Sequence, residues 1–108
     1  MKVHRLEVFS AVAKYLNVSR AAREFHVTPS AASHAVRKLE RDLGVKLIRP
    51  TRRAIELTDR GTSIQIEVDA ILAKIRALQK RFRQLLLVAT WQGLAGLSRD
   101  FFSGGLLS

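Results

Sequence analysis

The polar side chains best suited to contact a nucleic acid lie close together near the middle of the chain. Ser33, His34 and Arg37 fall on one side of any helix that contains them. Serine, histidine and arginine can each hydrogen-bond base edges or phosphates. Ser30, together with the free N–H groups expected at the helix start, suits a phosphate. This stretch therefore predicts a DNA-contacting helix. An ordinary solvated helix surface is the alternative for Ser33 and His34.

A strongly positive composition supports an anionic partner. The chain of 108 residues has 19 lysines and arginines against 9 acidic residues, a formal net charge of +10. Such an imbalance points most often to nucleic acid, and a ribosomal or membrane-surface peptide is the competing interpretation. Arg37, Arg52 and Arg53 are expected to contact phosphates rather than to read bases. Arg23 and Lys38 are either backbone contacts or solvated charges.

Composition and spacing argue against other chemistries. The chain has no cysteine, so it has neither disulfides nor thiolate metal sites. His4, His26 and His34 are scattered, without acidic residues at ligand spacing, so no metal site or cofactor is expected. Neither a nucleophile beside a base nor a carboxylate pair is present, and Ser30 and Ser33 near His34 do not make a triad. We therefore do not expect an enzyme.

No segment predicts export or membrane insertion. Charged residues interrupt the apolar residues at the N-terminus, unlike in a signal peptide. The longest uncharged run, 84–98, is shorter than the ~20 residues needed to cross a bilayer. A cytoplasmic protein without a membrane partner is the expectation.

Apolar spacing predicts three helices ahead of a change of pattern at Val45. The first spans 2–16, with apolar residues at Val3, Leu6, Phe9, Ala13 and Leu16. Ser19 is expected to cap a short second helix, Arg20 to Phe25. Thr28 as the N-cap and Pro29 at the first helical position predict a third helix that ends at Gly44. The tight corner between the second and third helices indicates a helix-turn-helix.

The next segment predicts a basic wing. Leu47, Ile55 and Leu57 flank a cationic centre, 49–53, which favours two short strands joined by a loop. Beside a helix-turn-helix, Arg52 and Arg53 in such a hairpin can reach phosphates or a minor groove. A solvated charged loop is the alternative.

A long amphipathic helix is expected after Thr58, an N-cap by residue type. Its apolar stripe is too long to be covered by a domain of 1–58, so pairing with a second copy is predicted. The expected interface comprises Ile64, Val68, Ile71, Leu72, Ile75, Leu78, Phe82 and Leu85. A helix folded back on its own domain is the alternative. The resulting division is 1–58 for DNA binding, 59–88 for dimerisation, and 89–108 as a tail without periodicity.

The order of these motifs resembles the N-terminal region of the LysR-type transcriptional regulators. The resemblance covers residues 1 to about 88, and rests on the stretch LEVFSAVAKYLNVSRAAREFHVTPSAASHAVRKLERDLGVKLI and on the residues from Arg52 to Gly61. It includes the Leu39, Glu40, Leu43, Gly44 pattern and the Leu57, Thr58, Gly61 pattern. The resemblance implies a mainly α fold, with a winged helix-turn-helix and a long helix that forms an antiparallel dimer.

By position, the resemblance also implies which residues contact DNA. The family's contacts in the third helix fall on Thr28, Pro29, Ser30, Ser33, His34 and Arg37, and its wing contacts fall on Arg52 and Arg53. Many members have glutamine where this chain has Pro29, and arginine where it has Pro50. The resemblance implies a further effector domain that the tail, 89–108, does not resemble, so a small-molecule effector is not expected for this chain.

Two functional hypotheses follow. The first is a sequence-specific regulator that binds double-stranded DNA as a dimer. The second is a truncated dimerisation module that pairs with a full-length relative and inhibits it. A sequence-independent DNA-compacting protein is a weaker third, because its charge would be spread rather than focused on one helix and a wing.

Overall fold

The chain forms a winged helix-turn-helix followed by a long helix, as the sequence predicted. The computed structural model describes residues 1–96. Its elements are α1 (Val3–Tyr15), α2 (Val18–Glu24), α3 (Pro29–Leu43), β1 (Ile48–Pro50), β2 (Ile55–Leu57) and α4 (Asp59–Gly96). The two strands pair antiparallel, with Ile48 opposite Leu57 and Pro50 opposite Ile55. One compact unit covers Met1–Ala73, and a second begins at Lys74.

The corner between α2 and α3 is stabilised by backbone and capping hydrogen bonds. His26 adopts the left-handed conformation, with φ 55°, and the N–H of Val27 donates to the carbonyl of Ala22 at 3.0 Å. The hydroxyl of Thr28 then accepts from the N–H of Ala31 at 3.1 Å, which confirms Thr28 as the N-cap and Pro29 as the first helical residue. These bonds determine where α3 begins.

The start of α2 differs from the prediction. Asn17, in an extended conformation, is the N-cap, and its side-chain oxygen accepts from the N–H of Arg20 at 2.9 Å. Ser19 therefore lies inside the helix rather than capping it. The helix ends at Glu24, with Phe25 as its C-cap. At the end of α3, Gly44 has φ 71° and its N–H donates to the carbonyl of Glu40, as expected of a left-handed C-cap.

One apolar core joins all four helices of the first unit. Val8, Phe9 and Val12 of α1 have no exposed surface. They belong to the same core as the side chains from the other elements, namely Ala21, Ala22, Ala32, Val36, Leu39, Leu47, Val68 and Leu72. Complete burial of an aliphatic or aromatic side chain of this size contributes roughly 1.5–3 kcal/mol. This core holds α3 and the base of the wing in fixed places.

Three predictions about the long helix and its boundary differ from the structure. Val68 and Leu72, which the sequence placed in a dimer interface, are only 3% exposed and lie in the core of the first unit; Ile64 packs against the same core. The compact unit extends to Ala73, beyond the predicted boundary at 58. The helix also continues to Gly96 rather than ending near Val88. The remainder of the predicted tail, 97–108, lies outside the described residues.

The apolar character of the helices bears on membrane insertion. Within residues 1–96, none of them combines the length with the apolar composition that a membrane-crossing segment needs.

Candidate nucleic-acid interface

The polar residues singled out on α3 share its solvent-facing side. Thr28, Pro29, Ser30, His34 and Arg37 are exposed, and Ser33 is half-buried. The opposite side of the helix, with Ala32, Val36 and Leu39, is buried. The core therefore orients the whole predicted set outward, where a groove of DNA can reach it.

The charge around His34 is strongly positive. Lys38, one turn further along α3, is the largest influence, and Arg41 and Arg37 act in the same direction; together they lower the pKa of His34 below its usual value of 6.5. A cationic imidazole is disfavoured there because it would add to neighbouring positive charges. The free protein therefore presents His34 mainly as a neutral hydrogen-bonding group near pH 7, within a field that attracts anions.

The tip of the wing is a short loop closed by Thr51. The N–H of Thr51 donates to the carbonyl of Ala54 at 2.9 Å, and the hydroxyl of Thr51 accepts from the N–H of Ala54 at 3.1 Å. Arg52 and Arg53 lie between them and are exposed. Arg49 was predicted as part of the cationic loop. It lies instead in β1, where its guanidinium forms an ion pair with Glu56 of β2.

A buried carboxylate joins α3 to the wing. Glu40 is 8% exposed and accepts from the N–H of Leu47 at 2.8 Å and, more weakly, from that of Ile48 at 3.4 Å. Leu47 itself is fully buried. In the sequence, Glu40 stood out only as part of the Leu39, Glu40, Leu43, Gly44 pattern of the family. Its position one turn after the apolar Val36 was a signal that a carboxylate would lie among core residues and need a partner.

The segment leading into the wing is also attached to α4. The hydroxyl of Thr58 donates to the carbonyl of Lys46 at 2.6 Å and accepts from the N–H of Gly61 at 2.9 Å. Thr58 therefore caps α4, as predicted, and its N–H donates to the carbonyl of Leu47 at 3.0 Å. A side chain at Gly61 would place its Cβ 2.0 Å from that carbonyl oxygen. Glycine at 61 thus permits the close approach of α4 to the wing.

The structure brings the tip of the wing beside the corner between α1 and α2. Arg53, Asn17, Val18 and Ser19 line one groove of about 250 Å³. Close to this corner, the guanidinium of Arg20 lies 4.4 Å from the ring centre of Tyr15, a cation–π distance. The predicted wing residue Arg53 therefore has the first turn of α2 as its neighbour, which sequence reasoning did not anticipate.

A second groove lies at the C-terminal end of α3. It has a volume of about 600 Å³ and includes three cationic residues, Arg37, Arg41 and Lys46, with Glu40 in its lining. Of these four residues, only Arg37 was predicted from the sequence to contact DNA. The positive charge of Arg41 and Lys46 extends the cationic surface of α3 toward the base of the wing.

The placement of the potential metal ligands can be described in the same way. Over the part of the chain that is described, no group of three histidine, cysteine or acidic side chains comes together in a way that would hold a metal ion.

Sequence comparisons place these elements in a known context. A family model described as bacterial regulatory helix-turn-helix protein, lysR family, matches residues 3–62. The glycine cleavage system transcriptional activator of Escherichia coli (strain K12) is 39% identical over 83 residues, which are 73% of this chain and 27% of that protein. The HTH-type transcriptional regulator PunR of the same strain is 34% identical over 97 residues, covering 90% of this chain and 31% of PunR. The chain thus spans less than a third of these relatives.

Solved structures give the same comparison in three dimensions. The DNA-binding domain of CbnR, in complex with DNA, superimposes with a TM-score of 0.73 and 32% identity, covering 80% of this chain and 99% of that one. DarR of Vibrio fischeri, also in complex with DNA, gives a TM-score of 0.76 and 31% identity, covering 82% of this chain and 30% of DarR. The likeness covers about four fifths of this chain in both comparisons.

Proposed function

The chain belongs to the lysR family of bacterial regulatory helix-turn-helix proteins, as a DNA-binding region of a transcriptional regulator, and we propose that it reads a specific double-stranded DNA site with α3 in the major groove. The observation that carries this proposal is the outward face of α3. On this face, Ser33 and His34 offer donors and acceptors for base edges, and Arg37 offers donors for phosphates. Thr28, Pro29 and Ser30 lie where the helix starts. Arg52 and Arg53 of the wing contact the adjacent backbone or minor groove.

The protein acts as a dimer through α4 in this proposal. Ile71, Leu78, Phe82 and Leu85 are between 45% and 65% exposed, and Ile75 is half-buried. Burying such a stripe against a second helix removes apolar surface from water. An antiparallel pair of α4 helices would present two copies of α3 to two half-sites, which explains why a dyad-symmetric target is expected.

The decisive experiment selects binding sites from random duplexes at about 150 mM salt, where non-specific attachment is weakened. We expect a dyad-symmetric motif. A selection that yields no motif, with binding only at low salt, would overturn specific regulation by this chain and favour a phosphate binder or a dimerisation module.

Substitutions on α3 test base reading directly. Ser33→Ala and His34→Ala should lower the affinity for the selected site far more than for unrelated duplexes, because base contacts carry the specificity. Ser63→Ala, an exposed position on α4, is the matched control and should change neither affinity. An equal loss on all duplexes would mean that these side chains contact only the backbone.

Substitutions in the wing test the phosphate contacts. Arg52→Ala with Arg53→Ala should weaken all DNA similarly and reduce the slope of log affinity against log salt by about one for each arginine–phosphate pair that is removed. The control variant, Arg76→Ala with Arg83→Ala, removes the same formal charge at two exposed positions of α4. Neither of these arginines is among the residues proposed to contact DNA. If both double variants reduce the slope equally, the wing makes no specific phosphate contact.

A further inference from the structure

The cationic groove at the C-terminal end of α3 adjoins the residues proposed to contact DNA. Its positive charge comes from three residues, here called the groove cations, namely Arg37, Arg41 and Lys46. All three are exposed. Arg37 belongs to the predicted DNA-contacting set, whereas Arg41 and Lys46 do not. These two cations therefore have no role in the contacts proposed above.

Arg41 continues the outward side of α3. The side chains on this side recur at intervals of four, three and four residues, namely Ser30, His34, Arg37 and Arg41. Such spacing keeps residues on one side of a helix. Arg41 is also close enough to His34 to be among the positive charges that lower the pKa of that imidazole. The side of α3 that is proposed to face DNA thus extends one turn further than the predicted residues.

Lys46 is held beside the end of α3 by backbone hydrogen bonds. The N–H of Val45 donates to the carbonyl of Glu40 at 3.2 Å. The carbonyl of Lys46 accepts from the hydroxyl of Thr58 at 2.6 Å. The groove therefore has a fixed position relative to the outward side of α3.

The acidic side chains at this end of α3 already have partners within the protein. Glu40, which lines the groove, is 8% exposed, and its carboxylate accepts from the N–H of Leu47 at 2.8 Å. The carboxylate of Asp42 forms an ion pair of 2.9 Å with Arg5 of α1. Within residues 1–96, no ion pair includes a groove cation. The three positive charges are thus available to an anion from outside the chain.

We infer that Arg41 and Lys46 bind the phosphate backbone that borders the major groove read by α3, an inference that rests on the proposed function. A recognition helix reads bases with its N-terminal residues. From Ser30 to Arg41, α3 rises about 16 Å, more than the roughly 12 Å width of a major groove. With the first turns at the base edges, the last turn and Lys46 lie against the bordering strand.

Charge and position favour a nucleic-acid backbone over an acidic protein segment. The groove cations are continuous with the outward side of α3, so one duplex contacts both surfaces. Phosphates are bound by arginine and by lysine, without further shape requirements. Arg41 also lies in the last turn of α3, where a cation stabilises the helix dipole. That role does not account for Lys46, which follows the end of the helix.

The test measures how salt affects binding to the duplex recovered by the selection described above. Arg41→Gln with Lys46→Gln, in the full chain, removes both charges. We expect weaker binding to selected and unrelated duplexes alike, because phosphates are present in both. Each lost phosphate contact contributes about 0.9 to the slope of log affinity against log salt, so the slope should fall by about 1.8 for each bound chain. For one bound chain, the affinity advantage of the unmodified protein then shrinks about 12-fold between about 50 and 200 mM salt.

Two control variants separate local contacts from total charge and from residue type. Arg76→Gln with Lys80→Gln removes the same charge at exposed positions of α4 and should leave the slope unchanged. Arg41→Lys with Lys46→Arg keeps both charges and should retain the slope, because phosphates accept either cation. Circular dichroism verifies that every variant retains its helix content.

Ethylation interference locates the contacts on the DNA, because ethylation removes the charge of a single phosphate. Some phosphates whose ethylation blocks the unmodified chain should no longer affect Arg41→Gln with Lys46→Gln. These phosphates should lie beside the ones that lose their effect in Arg37→Gln, since the three side chains line one groove.

Three results would overturn the inference in distinguishable ways. An unchanged slope and interference pattern in Arg41→Gln with Lys46→Gln means that neither side chain contacts DNA. Normal DNA binding with a lowered Tm means that the two cations only stabilise the end of α3. Normal DNA binding with lost regulation of a reporter gene means that the groove binds a protein. Failure of the proposed function is seen in the unmodified chain instead, as a selection that yields no motif.

Discussion

Removal of the Glu40 carboxylate should destabilise the first unit more than its single charge suggests. Hydrogen bonds to a charged group contribute about 1.5–3 kcal/mol, and a buried donor left without a partner costs about 1–3 kcal/mol. The bond from Leu47, at 2.8 Å, has full value, whereas the one from Ile48, at 3.4 Å, is weak. We therefore expect Glu40→Ala to lower the free energy of unfolding by about 3 kcal/mol, which corresponds to a fall in Tm of roughly 15 °C for a domain of this size.

Urea denaturation followed by circular dichroism measures this difference, at one fixed protein concentration because dimerisation would add to the apparent stability. Glu40→Gln keeps an acceptor oxygen but loses the charge, so its loss should be smaller, about 1 kcal/mol. Glu24→Ala, at an exposed position of α2, should lie within about 0.5 kcal/mol of the unmodified chain. If Glu40→Ala also stays within that margin, the carboxylate does not attach the wing to α3, and the reasoning fails.

Two further predictions concern the approach of α4 to the wing and the charge around α3. Gly61→Ala should lower the free energy of unfolding by roughly 3 kcal/mol because its Cβ would overlap the Leu47 carbonyl. The control, Gly44→Ala, is strained only by its φ of 71° and should lower it by about 1 kcal/mol. Equal losses of the two variants in urea denaturation would refute the steric argument. The lowered pKa of His34 in the free protein should rise beside DNA, since the polyanion favours the imidazolium. DNA binding then takes up a proton, so the affinity for DNA should increase as the pH falls from about 8 to about 6. Identical pH profiles of the affinity for the unmodified chain and for His34→Gln would contradict this.

The ends of α3 were predictable because their signals are local. Thr28, Pro29 and Gly44 act on backbone groups within four residues of themselves, so their residue types are sufficient. The start of α2 was not predicted, because Asn17 and Ser19 are both good N-cap residues. The left-handed Leu16 ends α1 and leaves Asn17 extended, so Asn17 caps the helix. That choice depends on the preceding helix and not on the capping residues themselves.

The long helix shows a second limit. A repeat of three and four residues reveals that one side of a helix is buried, but not what buries it. Val68 and Leu72 pack into the core of their own unit, whereas Leu78 and Phe82 continue the same repeat and remain exposed. The outward face of α3 could be recognised from the sequence because its polar residues lie outside the apolar repeat of the helix, and such positions face solvent. The structure places the predicted DNA-contacting residues at the surface, and their contacts remain a proposal.

Several interactions that were not predicted from the sequence share one physical property, since their partners are backbone groups of the segment 46–48. Glu40 accepts from two of its N–H groups, Thr58 is bonded to the carbonyls of Lys46 and Leu47, and Gly61 lies against the carbonyl of Leu47. Backbone groups are identical in every residue, so no residue type at 46–48 signals these bonds. Because α3, the wing and α4 all attach here, a shift of this segment would move the base-reading helix and the wing arginines relative to each other. A substitution that disturbs it should therefore weaken specific and non-specific DNA binding together, whereas Ser33→Ala should lower mainly the affinity for the specific site.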